Sequence, residues 1–227
     1  MNIFNHDSIA ERSREITSPF YPEACADVVR MGLSDDIEYG LIPAVLRRLG
    51  FEAPNLVILV NPVVSNQVPG LLKTGQIALN LGYRQPPFHG SVSERLQTLD
   101  VAVLRADRIP GSIDLEAFCS RPHLMVTSFS SAQGQIDDAL KEMGRSRHIA
   151  RSVIHCSSIP MMLASTDLIV AVPSPVAQAL VAQGGLRSDR LPFAVSEIEL
   201  SMTWHRGDIS TPAEEWLRSR LSILLKN

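Results

Sequence analysis

Apolar and polar positions alternate along this chain in two rhythms that take turns. Val28–Leu33 reads as a strand, and Ser34-Asp35-Asp36 as the start of a helix. Asp35 followed three residues later by Glu38 has the form of a capping box. Ile37, Leu41, Val45 and Leu49 then recur every four residues, one face of a helix that ends at Gly50. Leu56-Val57-Ile58-Leu59-Val60 is an unbroken apolar run, as in a strand buried on both sides of a parallel sheet. Ser65–Thr74 is helical and stopped by Gly75, and Ile77–Leu81 is the next strand. Strand and helix alternating at this pace predict a doubly wound α/β layout. Before it, residues 1–19 carry at most a short charged helix, Ile9–Glu15, stopped before Pro19.

Thr98–Arg105 reads as one long strand, and the alternation restarts after Asp107–Gly111. Strands are expected at His123–Ser128, His148–Val153 and Leu168–Val172, with helices at Gly134–Met143, Ser157–Ala164 and Ser174–Ala182. Ser196–Trp204 is a second long strand and Pro212–Leu225 a closing helix, with Trp216, Leu217, Leu221 and Leu224 at core spacing. Two α/β halves joined by two long strands make a two-lobed clamp. Its expected division is a tail or linker over 1–27, lobe I over 28–99 plus 204–227, and lobe II over 100–203.

Composition narrows the function. Of 227 residues, 45% are hydrophobic and 20% charged, ordinary for a globular chain with a real core. A net charge of -3 argues against direct binding to nucleic-acid phosphates. Cys25, Cys119 and Cys156 are far apart and in no CxxC spacing, which suggests reduced thiols in the cytoplasm. The N-terminus has no apolar h-region, and no apolar run is long enough to span a membrane. No GxSxG, HExxH, GxGxxG or GxxxxGK[ST] motif occurs, and the histidines lack metal-ligand spacing, so no cofactor and no metal are expected.

Three polar clusters lie at strand-to-helix junctions. His155-Cys156-Ser157-Ser158 offers backbone N–H groups and an imidazole to an anion such as a carboxylate. The plainer reading makes Ser157 a helix cap and has His155 bond across the lobe. A nucleophilic Cys–His pair is a third reading, weakened because adjacent residues point apart on an extended strand. In the first lobe Ser34 is placed to meet a ligand, while Asp35 and Asp36 read as caps favoured by the helix dipole. Ser128-Phe129-Ser130-Ser131-Ala132-Gln133-Gly134 is either an ordinary turn or a set of hydroxyls and an amide with one aromatic, Phe129, facing a small molecule. Ligands of open α/β sheets bind outside the carboxyl ends of strands, where three such junctions would gather. Arg47-Arg48 reads as a solvated face or a dimer rim.

Several segments in series resemble the effector-binding domain of LysR-type transcriptional regulators. They are Phe20-Tyr21-Pro22, Met31–Glu38, Leu41-Ile42-Pro43, Leu72–Gly75, Leu79–Gly82, Gly134–Leu140, Thr166–Pro173 and Trp204–Arg218. They span about residues 20–225 and look most like the branch of nodulation and aromatic-degradation regulators. The resemblance implies a type 2 periplasmic-binding-protein-like fold, two Rossmann-like lobes joined by two crossover strands. It implies a small-molecule effector, aromatic or carboxylate-bearing, held in the interlobe cleft. It also implies a homodimer or homotetramer whose geometry the effector switches, and DNA contact only through a winged helix absent from this chain. Ser34, Ser65, Tyr83, Ser128, Gln133, His155 and Thr203 match or neighbour the family's effector-contacting segments, and Phe129 and Ser157 join them from the junction readings. Departures fall at Ala78, where the family usually has an acid, at Pro175, where a basic residue is common, and at Gln133, often histidine in salicylate-responsive members. The rival readings are a transporter's solute-binding protein and a small α/β enzyme using the His155/Cys156 region.

Overall fold

The structure, a computed structural model, describes residues 20–127, 130–206 and 210–226, with the side chains of 130–133 outside the description. The expected helix at Ile9–Glu15 and the residues Ser128 and Phe129 lie outside the described residues.

The first lobe is built on β1 (Val28–Leu33), β2 (Val57–Pro62) and β3 (Leu79–Tyr83), with β1 parallel to both others. Two longer strands, β4 (Ser91–Leu99) and β10 (Ile198–His205), complete a five-stranded sheet in the order β2-β1-β3-β10-β4, the last two antiparallel. Strand β2 stands at the edge, so its apolar run is not buried on both sides: Val57 and Leu59 are 45% and 42% exposed. The central strands β1 and β3 bury Met31, Leu33, Leu79 and Leu81 completely.

The helix expected from Asp35 to Gly50 is two helices, α1 (Asp35–Gly40) and α2 (Ile42–Glu52). Pro43 lies in the first turn of α2 and has no N–H to carry the earlier helix's hydrogen bonding onward. The four-residue spacing survives the break, and Ile37, Val45 and Leu49 are all buried. Helix α3 (Val68–Lys73) leads into β3.

In the second lobe β5 (Val101–Ala106) lies between β8 (Val170–Pro173) and β9 (Leu186–Arg190), antiparallel to both. Strands β6 (Pro122–Val126) and β7 (His148–Val153) run parallel and adjoin β8 through Leu124 N–H to the Ile169 carbonyl, 2.8 Å, and Ile169 N–H to the Pro122 carbonyl, 3.1 Å. Helices α4 (Leu115–Ser120), α5 (Ser130–Glu142), α6 (Ile159–Ala164) and α7 (Ser174–Val181) complete it. Arg105 is buried on β5, paired with Asp189 of β9 at 2.6 Å and donating to the carbonyls of Ile109 and Gly111, which ties down the loop after β5.

Thr98–Arg105 is not one strand. The chain passes from β4 to β5 at Asp100, leaving one sheet and entering the other. It returns through 191–197 into β10, so these are the two crossings of the clamp. Strand β10 pairs with β4 along its whole length and with β3 over Leu200–Thr203, which sets residues 198–203 in the first sheet rather than with the second lobe. Helix α8 (Pro212–Leu225) then packs on the first lobe with Ala213, Leu217, Leu221 and Leu225 buried. Its start carries a complete capping box, Thr211 with Glu214.

Candidate functional site

A cavity of ≈ 520 Å³ opens between the lobes, within the size range of small-molecule sites, about 300–1,000 Å³. The first lobe lines it with 33–35, 62–68, 80–83 and 85; the second contributes Thr127, Ile154 and His155. These segments follow or end β1, β2, β3, β6 and β7. The cavity therefore lies off the carboxyl ends of parallel strands, where the loops are free to vary while the sheets hold them in place.

Its floor shows why two glycines interrupt apolar strands. Asn80 is buried on β3, opposite Gly32 of β1 and two residues before Gly82. A Cβ on Gly32 would lie 3.2 Å from Asn80 Oδ1, and one on Gly82 would lie 3.1 Å from Asn80 Nδ2. Glycine at both places leaves room for the amide, and Asn80 and Gly82 both line the cavity. A side chain that can both donate and accept is thereby fixed in an apolar sheet.

The lobes meet across the cavity through Asp35. Its Oδ2 accepts from Cys156 N–H at 2.7 Å, and its Oδ1 is 2.9 Å from His155 Nδ1. The expected Asp35–Glu38 capping box is not formed. Ser34, not Asp35, is the N-cap residue and makes no side-chain cap bond, and the Asp35 carboxylate is spent on the other lobe. Further along α1, Gln183 donates to the Tyr39 hydroxyl at 2.6 Å, and Gly40 packs on α7 so closely that a Cβ would lie 2.8 Å from Val176 N. Helix α1 thus bridges to the second lobe at both ends.

Asp36 is buried and holds the other end of the cleft wall. Burial pushes its carboxyl up from 3.8 to about 6, opposed by the Ser34 hydroxyl and the backbone N–H groups of Asp36 and Ile37. The Tyr83 hydroxyl donates to Asp36 Oδ2. Cys156 is also buried, and burial together with the adjacent Asp35 carboxylate pushes its thiol well above the ordinary range. The thiolate a nucleophile needs is disfavoured, and the His155 ring nitrogen that would activate it is turned to Asp35.

Of the residues expected at the site, Ser34, Ser65, Tyr83 and His155 line one cavity. Thr203 is not among its lining residues. It sits in β10 in register with Asn80, its hydroxyl 3.1 Å from that of Ser93. Ser157 is exposed within a 3-10 turn, Cys156–Ser158, and does not line the cavity either. Ser128 and Phe129 lie outside the described residues, as does the side chain of Gln133, whose backbone is in α5. Asn80, Gln85 and Thr127 belong to the wall without having been singled out. An asparagine inside the run Ile77-Ala78-Leu79-Asn80-Leu81 was the available signal, since a buried amide needs a reason.

Among the described residues no helix is long and apolar enough to cross a membrane. The chain is 29% identical over 204 residues to the transcriptional activator NahR of Pseudomonas putida, covering 88% of this chain and 67% of NahR. It is 27% identical over 198 residues to the transcriptional regulator SyrM of Rhizobium meliloti, covering 86% of this chain and 60% of SyrM, so it spans about two thirds or less of these relatives. The crystal structure of the regulatory domain of MexT, a transcriptional activator in Pseudomonas aeruginosa, superposes with a TM-score of 0.80 at 40% identity, over 86% of this chain and 98% of that one. The family of the LysR substrate binding domain matches residues 25–223. With two α/β lobes, a polar cavity between them and that match over nearly its whole length, the chain belongs to the LysR substrate-binding domain family.

Proposed function

We propose that this chain senses a small aromatic or carboxylate-bearing effector in the cleft between its lobes, and that occupancy changes how the lobes are held. The observation that carries this reading is the cavity of ≈ 520 Å³ whose wall is supplied by both lobes. An effector touching both lobes has different contacts in open and closed arrangements, and only such a difference shifts the population between them. In the cell the domain works in the cytoplasm as a homodimer or homotetramer and passes the change to a DNA-binding winged helix. Catalysis forms no part of this function. The buried thiol of Cys156 and the engagement of His155 with Asp35 support that.

The test is a titration with an aromatic fragment set, followed by amide NMR. Shifts at Ser65 and Tyr83 together with Thr127 and His155 are expected, because those residues face the cavity from both lobes. A larger cavity, ≈ 990 Å³, lies at the crossings, lined by residues that include Asp100, Arg190 and Phe193. Shifts confined to that cavity would overturn the reading.

A further inference from the structure

Among the described residues, the cleft wall offers no guanidinium or ammonium group to an acid. Its described lining residues include no lysine or arginine. Arg84 adjoins the lining segment 80–83 but pairs with Glu199 at 2.9 Å and does not line the cavity. Negative charge is supplied instead, by Asp35 in the wall and Asp36 behind Tyr83. The seat in the second lobe that would suit a ligand's carboxylate is the Cys156 N–H beside His155. Asp35 fills it, at 2.7 Å and 2.9 Å. An acidic effector would have to evict Asp35 or lie beside two carboxylates without a counter-charge, and an uncompensated buried charge is costly. The rest of the wall suits a neutral ring. Val63, Val64 and Ile154 give apolar surface, while Asn80 and Gln85 bring amides able to accept hydrogen bonds.

Accepting the interlobe cleft as the effector site, we infer that the effector is an uncharged ring compound bearing hydroxyl donors, and that Asp35 is a resident carboxylate closing the anion seat of Cys156 and His155. This narrows the effector class from aromatic or carboxylate-bearing to neutral and donor-bearing.

The experiment is calorimetric titration at neutral pH with benzyl alcohol, phenol and benzoate, on the wild type, Asp35→Ala and Asp35→Asn. In the wild type the alcohol or phenol binds at least about tenfold more tightly than benzoate, about 1.4 kcal/mol. In Asp35→Ala the vacated seat takes an external carboxylate, so benzoate gains about tenfold or more and acetate competes with it. Asp35→Asn removes the charge at nearly constant size and answers the same question should the alanine variant fail to fold. Benzoate binding as tightly as the alcohol in the wild type overturns the inference, as does the absence of any benzoate gain in both variants. NMR mapping of whichever probe binds separates the two levels. Binding in the cleft with a preference for benzoate overturns only the charge class, whereas binding away from the cleft overturns the site itself.

Discussion

At the scale of single residues, Asp36 and His123 are buried groups whose titration bears on stability in mild acid. Both are pushed toward their neutral forms, with opposite consequences for pH. Asp36 rises from 3.8 to about 6 through burial. His123 is buried against the Phe118 ring, its Nε2 donating to the Phe118 carbonyl at 2.7 Å, and burial lowers it from 6.5 to about 4. Between about pH 4 and 6 the folded state binds more protons than the unfolded state at Asp36, so acidification through that window stabilises the protein. At His123 the folded state binds fewer, so acidification from 6.5 toward 4 destabilises it. Each contribution is on the order of 3 kcal/mol, at about 1.4 kcal/mol per pKa step, and the windows overlap. The wild type is therefore expected to show little net slope from this pair. Chemical denaturation across the range should show Asp36→Asn losing stability as pH falls from 6.5 to 4, and His123→Leu gaining it. Equal slopes in the two variants would refute the assignment. That Asp36 is buried beside the cleft was not legible in the sequence. An aspartate in a first helical turn is normally an exposed cap, and only the Tyr83 hydroxyl from β3 and the packing of α1 give it another role.

At the scale of elements, the chain's own pattern was most informative where one element makes its own decisions. Helix α8 begins and ends where its sequence indicates, at Pro212 and Leu225, although its buried stripe is Ala213, Leu217, Leu221 and Leu225, with Trp216 and Leu224 only partly buried. Replacing Thr211 by Ala removes the hydroxyl that accepts from Glu214 N–H at 3.2 Å. A loss of about 1 kcal/mol is expected, visible as a melting midpoint lower by about 2–4 °C in a chain this long. An unchanged midpoint would mean that packing alone holds the helix. Elsewhere, neighbours overruled the local pattern. Strand β9, Leu-Arg-Ser-Asp-Arg, carries too little apolar alternation to be read, yet it pairs with β5 and brings Asp189 to the buried Arg105. Strand β4 was unreadable over Ser91–Gln97 for the same reason, since its register comes from β10.

For the whole molecule, one short helix of the first lobe reaches across to the second at both its ends. Helix α1 belongs to the first lobe but touches the second at Asp35, Tyr39 and Gly40. Gly40→Val would place side-chain atoms against the Val176 backbone, an overpacking that costs about 1–3 kcal/mol. Relief comes most cheaply by rotating the lobes apart at the two crossings. Small-angle scattering of Gly40→Val should then give a larger radius of gyration than the wild type, with NMR showing His155 released from Asp35. An unchanged radius would show that the gap between lobes is set elsewhere. The alternation of strands and helices, the two-lobed division and the family resemblance were all present in the sequence, because they rest on periodicity and local signals that each segment carries alone. The pairing of Asp35 with the second lobe, the slot for Asn80 between two glycines, the edge position of β2 and the placement of β10 in the first sheet came only with the tertiary structure. Each depends on contacts between residues far apart in the chain, and no periodicity encodes which distant carboxylate a backbone N–H will meet.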